Sequence, residues 1–442
     1  MMRGAARIAS QSAVIYGMRL GGAAITFLMQ AALARWWGAD QLGQYLVLTA
    51  VLNIVAMTMP LGFQVIGNYF TAEYMSAQRT RLLRAFAWRA YLHIAIVFGA
   101  TLVVSYLFQQ RIGDALKLSP HALLPGTIMA AATAIVFVNG ALLSGAKHPI
   151  AGLIADALLK PIAFLLGFVL ASHLVDADER FVALIWIGAI LYIAAAALQM
   201  RRAIQVIAPL NGDIADASAE SRRWWRFALP WVAISLATDF FFDIDLLLLT
   251  HLMSLEQLAV FGVCTRIFAL IAFGVGLVYT IAMPDMLNAH QNDEKEEFHR
   301  RTSDANLMAG GFAATMGIAA LFSEPLLGLF GAGFAAGNIP LAILCVSLAI
   351  RSIVGPSALL LSLHDKPYAS LPPIIVGLAA LVLGNYLLVP PFGMTGAATA
   401  ATLAMSIWSV LQWIVARRHT GTDVSIWPRL RDAVFKPQPT RG

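Results

Sequence analysis

The stretch Ala34-Arg35-Trp36-Trp37-Gly38-Ala39-Asp40-Gln41-Leu42-Gly43-Gln44-Tyr45 returns in outline as Thr250-His251-Leu252-Met253-Ser254-Leu255-Glu256-Gln257-Leu258-Ala259-Val260-Phe261, 250 − 34 = 216 residues later. In each copy an acidic residue, Gln, Leu and a small residue form a turn that joins two long apolar runs and leads to an aromatic. The same offset of 216 pairs Arg201-Arg202 with Arg417-Arg418, each pair closing the last apolar run of its half. An offset of 218 pairs Leu142-Leu143-Ser144 and Pro149 with Leu360-Leu361-Ser362 and Pro367. The chain therefore reads as two copies of one helical unit.

Composition says what solvent those helices meet. Apolar residues make up 59% of the 442 and charged residues 12%, with a mean hydropathy of +0.74. Water-soluble domains carry about 25% charge, so this chain is built for a bilayer. About twelve runs reach the ~20 residues that a bilayer core requires. Their approximate cores are 12–34, 44–70, 87–108, 121–144, 150–172, 181–200, 227–250, 257–283, 305–324, 338–362, 369–389 and 395–416. The expected fold class is an all-α polytopic membrane protein, with two parallel six-helix lobes around a central cavity. Six helices per copy, being even, leave the second copy parallel to the first, and duplicated bundles of this kind are usual in transporters, whose site lies between the repeats.

The expected organisation is an N-terminal lobe 1–208, a linker 209–226, a C-terminal lobe 227–418 and a polar tail 419–442. The linker carries Asp213, Asp216 and Glu220, then Arg222-Arg223-Trp224-Trp225-Arg226, an interfacial anchor for helix seven. Arg3 and Arg7 before an apolar stretch suggest a leader, but the run is long, contains Arg19 and lacks a small-x-small cleavage site. It reads as the first membrane helix. Lys and Arg resist translocation, and they crowd one set of loops (Arg79, Arg81, Arg84, Lys147, Arg201, Arg202, Lys366, Arg417, Arg418), whereas the opposite set offers Arg35, Arg111, Lys117 and Arg180. Both termini are thus expected in the cytoplasm, in a cell inner membrane. The net charge of +6 is this topology signal plus contact with anionic lipid heads, and no basic stretch is long enough to suggest a nucleic-acid partner.

No P-loop, nucleophile elbow, His-Glu-x-x-His or paired-cysteine pattern occurs. Cys264 and Cys345 both lie in apolar runs and read as buried thiols, without metal-ligand spacing. Ionisable residues inside apolar runs carry the chemical interest, because each is costly there. Asp239-Phe240-Phe241-Phe242-Asp243-Ile244-Asp245 is the densest cluster. At about 100° per residue, Asp239 and Asp243 share a face and Asp245 points elsewhere. Arg266 in helix eight lies at similar depth to Asp243. The pair reads either as a structural ion pair or as part of a substrate or H⁺/Na⁺ coupling site.

Arg19 sits between Gly17 and Gly21, whose spacing permits close helix approach, and it either snorkels or faces the cavity. Arg351 is deeper in helix ten. Asp156 and Lys160 are four apart and neutralise one another on one face. Asn53, Gln64 and Asn68 are polar without charge, suited to helix–helix bonding or to sugar, and His93 reads as packed. Pro60, Pro230, Pro284 and Pro356 allow kinks in long helices.

Several segments resemble the polysaccharide flippase family of the multidrug/oligosaccharidyl-lipid/polysaccharide exporter superfamily. They are Leu33 through Tyr45, Leu61-Gly62-Phe63 through Tyr69-Phe70-Thr71-Ala72-Glu73-Tyr74, Phe242-Asp243-Ile244-Asp245-Leu246, and Pro390-Pro391-Phe392-Gly393-Met394-Thr395-Gly396-Ala397-Ala398. Family members commonly have Arg after the helix-seven Asp, where this chain has Leu246. The lipid II flippase branch has two further C-terminal helices, which the polar tail after Arg417 is expected to exclude.

The resemblance implies a MATE-like fold and transport of a polyprenyl-diphosphate-linked oligosaccharide between leaflets by alternating access, for surface polysaccharide such as lipopolysaccharide or exopolysaccharide. Polymerase or assembly proteins would be partners, and no cofactor beyond a coupling H⁺ or Na⁺ is implied. Arg19 and Arg266 are the implied phosphate ligands, with Arg351 and Asn53 as further candidates. The acidic Asp239 and Asp243 equally suit a cation-coupled multidrug exporter of the same fold. A membrane glycosyltransferase would need catalytic acids and a large external loop, and the external loops here are short.

Overall fold

The computed structural model describes residues 2–207, 217–292, 294–364 and 366–428. Every regular element among them is helical. Helix one is Met2–Trp37. Helix two is Ala39–Thr58 continued by Phe63–Ser76, helix three Thr80–Leu107 and helix four Leu123–Gly145. Helix five runs from Pro149–Ile154 through a π-helical turn, Ala155–Leu159, into Lys160–Leu174, and helix six is Arg180–Ile207. Helix seven is Ala217–Asp239 continued by Phe241–Leu249, helix eight Leu255–Gln291, helix nine Lys295–Leu321 and helix ten Asn338–Val354 continued by Ser357–Leu363.

Nine stretches among the described residues are long and apolar enough to cross a membrane. The last, Pro367–Thr420, spans 54 residues, over twice what one crossing requires. Gly393 interrupts it with φ 54° and ψ −133°, a left-handed φ that glycine alone adopts cheaply. Side chains added at Gly377, Gly384 and Gly396 would strike Trp408, Ala400 and the Leu388 carbonyl respectively. These pairs close in on Gly393 from both sides, so the stretch is an antiparallel hairpin, helices eleven and twelve. Small residues on both arms let the backbones touch. Helices seven and nine are richer in polar residues and fall outside those nine stretches. The protein is an all-α, multi-pass membrane protein.

The sequence repeat reappears as repeated backbone hydrogen bonds. Leu42 N–H donates to the Gly38 carbonyl before helix two, and Leu258 N–H to Ser254 before helix eight, 216 residues on. After helix two, Ala77 and Arg79 donate to Glu73 and Tyr74; after helix eight, Asn292 and Glu294 donate to Asn288 and Ala289, 215 on. After helix four, Ala146 and His148 donate to Leu142 and Leu143; after helix ten, His364 and Lys366 donate to Leu360 and Leu361, 218 on. Helix C-termini closed by the same five-residue-back bond are one way orphan carbonyls are satisfied.

Packing divides the chain differently from the repeat. The two compact units are Met1–His251 and Leu252–Gly442, so helix seven packs with the first six helices. These packing units are thus not the two copies of the repeat, whose expected linker at 209–226 precedes helix seven. Residues 208–216 lie outside the described residues, and 217–226 are the first turns of helix seven. The cause is a groove in helix two. Pro60, Leu61 and Gly62 break that helix, and Gly62 has φ 90°. A side chain there would come within 2.5 Å of the Ala228 carbonyl. The break thus seats helix seven against helix two.

The expected role of Gly17 and Gly21 in close packing needs correction. A Cβ added at either meets nothing within 4 Å, whereas one at Gly22 would collide with the Ala157 carbonyl of helix five. Helix one touches its neighbour through Gly22.

Candidate functional site

Helix five provides the centre of the site because its sequence breaks its own hydrogen-bond ladder. Pro161 has no N–H, so the Ala157 carbonyl four residues earlier loses its donor. Lys160 N–H bonds instead to Ala155, five residues back, and the helix widens into a π turn, a feature often found at functional positions. The freed Ala157 carbonyl faces Gly22 of helix one. The bulge also presents Lys160 to its neighbours.

Lys160 Nζ lies 3.8 Å from Asp156 Oδ1 and donates to Asn53 Oδ1 of helix two at 3.5 Å. Asn53 Nδ2 in turn donates to Asp243 Oδ2 of helix seven at 3.1 Å. An ammonium only donates and a carboxylate only accepts, so the orientation of the Asn53 amide follows from its two partners. Lys160 also lies over the Tyr192 ring of helix six, 5.6 Å from its centroid, and Asp156 neighbours the Tyr192 hydroxyl. Helices two, five, six and seven thus meet on one polar thread within the first unit. The 3.5 Å link is weak by geometry, so the lysine is the member most readily drawn to another anion.

The expected site residues fall in several places. Asn53 and Asp243 are brought together. Asp243 and Asp245 are both buried, at 7% and 0% exposure, whereas Asp239 is exposed and accepts a hydrogen bond from Thr238 at 3.2 Å. The shared face expected for Asp239 and Asp243 is therefore not realised, because helix seven breaks at Phe240 (φ −116°, ψ 21°). Arg19 is exposed on helix one, three residues before Gly22. Arg266 and Arg351 belong to the second unit, Arg266 half-buried on helix eight and Arg351 exposed on helix ten. Among the described residues no group of His, Cys, Asp or Glu could hold a metal ion.

Two features escaped sequence reasoning. One is the contact of Lys160 beyond Asp156, with Asn53 and the Tyr192 ring; the Lys160-Pro161 pair in an apolar run was the available signal. The second is a latch at the Ser76 end of helix two. Arg223 of helix seven grips Glu73 with Nη1 to Oε1 at 2.6 Å and Nη2 to Oε2 at 2.8 Å. Tyr74 donates to Glu220 at 2.7 Å and accepts from Trp224 Nε1 at 2.7 Å. Arg89 of helix three bonds Ser221 and stacks over Trp224. The Arg223 hydrogen bond holds the Glu73 carboxyl below its ordinary value, against partial burial, and Glu73 raises Arg223 in return.

No protein-family model matches the chain, and no curated protein matches it. Solved structures do. An inward-facing multidrug resistance transporter of the MATE family, in the MOP superfamily, aligns over 90% of this chain and 94% of its own, with a TM-score of 0.73 and 13% identity. The lipid II flippase MurJ, in an inward closed conformation, aligns over 92% and 87%, with a TM-score of 0.69 and 12% identity. A MATE structure in the straight conformation aligns over 92% and 94%, with a TM-score of 0.62 and 14% identity. The chain shares their fold. At this level of identity the likeness carries the architecture and leaves the cargo to be argued from residues. The membrane helices offer cations, Arg19 and Lys160 in the first unit and Arg266 and Arg351 in the second, beside the acids Asp156, Asp239, Asp243 and Asp245.

Proposed function

We propose that this chain moves a polyprenyl-diphosphate-linked oligosaccharide across the cytoplasmic membrane by alternating access, for surface polysaccharide assembly. The observation that carries the reading is the set of cations in membrane helices: Arg19, Lys160, Arg266 and Arg351. Ionisable groups in membrane helices usually face a cavity or a partner, and a diphosphate would add two or more negative charges to what Asp156 and Asp243 already offer Lys160. Arg19 and Arg266 are proposed as phosphate ligands, with Arg351 and Lys160 as further cations and Asn53 available to sugar hydroxyls. Asn53 links Asp243 to Lys160 through its amide. Asp239, Asp243 and Asp245 are also the places for a coupling H⁺ or Na⁺. Basic residues crowded into one set of loops support cytoplasmic termini, and the duplication in sequence supports two six-helix lobes. The lipid carrier and the bilayer are the immediate partners, with a polymerase or assembly protein receiving the product.

The test is flipping of a short-chain, fluorescent polyprenyl-diphosphate oligosaccharide in proteoliposomes, together with depletion in cells. Protein-dependent loss of inner-leaflet fluorescence, and build-up of cytoplasm-facing lipid-linked glycan on depletion, are expected; absence of both would sink the reading.

A second reading, export of organic cations, draws on the exposed Asp239 carboxylate and on the MATE multidrug transporters among the neighbours in fold. Drug sensitivity of a deletion strain with unchanged glycans would select it.

A further inference from the structure

Helix ten is broken at Gly355 (φ 76°) and Pro356. Pro356 has no N–H to offer the Ser352 carbonyl, and Ser357 N–H turns to Gly355 at 2.8 Å. The Ile353 carbonyl is thereby left without its helical donor. A segment about 70 residues further on supplies one: Ile426 N–H donates to Ile353 at 3.0 Å. Two residues earlier, the Val424 carbonyl accepts from Asn306 Nδ2 of helix nine at 2.7 Å, and Asn306 Oδ1 accepts from Tyr279 of helix eight at 3.0 Å.

The segment is built to lie there. The Val424 side chain is 1% exposed, packed with Met286, Ala289, Phe298, Leu360 and Ala416. Asp423 anchors it from behind, accepting from Trp413 Nε1 at 2.9 Å, Ser425 N at 3.0 Å and Ser425 Oγ at 2.6 Å, with Arg417 at 3.7 Å. Gly355 leaves the room: a side chain on it would collide with the Val424 carbonyl and come within 2.8 Å of Asn306 Nδ2. A polar stretch following the last membrane helix thus completes a broken backbone in helix ten while touching helices eight, nine and twelve.

We propose that residues 422–427 are a strap that sets the bend of helix ten, holding one shape while docked and freeing the helix when it leaves. Arg351 lies four residues before Gly355 and accepts the Gly355 N–H at 3.0 Å through its carbonyl, so the strap also sets where that guanidinium sits. This last consequence rests on the reading of Arg351 as a substrate-facing cation; the strap itself does not.

The experiment is hydrogen–deuterium exchange on the full chain in lipid nanodiscs, comparing wild type with Asp423→Ala and Asn306→Leu. Neither substitution alters helix ten. Both are expected to speed exchange about tenfold, the effect of losing one ordinary hydrogen bond, in 424–427 and also in 353–363. Faster exchange confined to 424–427 makes the segment a passenger and overturns the proposal, as does an unchanged rate in both regions. Global unfolding would accelerate helix four as well, so unchanged rates across 123–145 are the internal control. The readout is independent of cargo, so a failure of the flipping assay leaves it standing.

Discussion

Asn53 on helix two and Asp243 on helix seven are joined by a 3.1 Å hydrogen bond, although 190 residues separate them. The bond ties the second helix of one repeat copy to the first helix of the other. Its amide also reaches Lys160, so one uncharged side chain stands between opposite charges. Replacement by leucine strips both of a partner at once, and a buried group left unsatisfied costs about 1–3 kcal/mol. Asn53→Leu is expected to lower the thermal midpoint in detergent by several degrees, while Asn53→Gln recovers part of the loss. Equal midpoints for Leu and wild type would show that the thread holds nothing together.

Lys160 supplies the positive charge of that thread. Lys160→Met keeps the apolar stem and removes the charge, so flipping of the diphosphate-linked substrate is expected to fall about tenfold, the effect of about 1.4 kcal/mol. Lys160→Arg retains the charge and loses less. The proteoliposome assay reads both. An organic-cation exporter would respond in the opposite sense, with transport unchanged or faster when the cation is removed.

The Glu73–Arg223 pair ties the Ser76 end of helix two to the first turns of helix seven. The folded carboxyl titrates below the ordinary glutamate value of 4.5. Its contribution is therefore complete above that value and lost as pH falls through the lower folded value. From pH 6 to 8 the latch is constant; as pH falls below the ordinary value it weakens. Part of the pair meets solvent, so its contribution is of order 1 kcal/mol. Glu73→Gln should flatten the acid limb of thermal stability measured from pH 3 to 7. An acid limb identical to wild type would place the sensitivity in other carboxylates.

The helices, the hairpin ahead of helix twelve and the duplication were all legible in sequence, because each rests on local pattern: run length, turn residues, basic loop ends. What escaped depended on how helices are rotated against one another. The Gly17/Gly21 spacing signals close approach on any helix, and only the packing shows that Gly22 is the residue in contact. Asp239 and Asp243 share a face on an unbroken helix, and the break at Phe240 separates them with no proline or glycine to announce it. The docking of residues 424–426 answers an open carbonyl of helix ten, which the Ile426 N–H meets, and no pattern near residue 424 could reveal it.

Gly22 gives the sharpest test of the helix-one contact. The Ala157 carbonyl against it was set free by Pro161, and it stays there because a hydrogen rather than a methyl faces it. The π turn belongs to the backbone and cannot retreat as a flexible side chain would. Gly22→Ala must therefore push helix one away from helix five or straighten the bulge that presents Lys160. Either route is expected to cost about 2 kcal/mol or more, in the range of overpacked or strained sites. Gly17→Ala and Gly21→Ala meet open space and gain helix propensity, so both should match or slightly exceed wild-type stability. Thermal unfolding of the three variants, alongside Gly22→Ala combined with Pro161→Ala, decides the point. Restoring the Pro161 N–H gives the Ala157 carbonyl an intrahelical partner, so the double variant should recover stability relative to Gly22→Ala alone. If the three single variants unfold together, helix one is not seated on the π turn.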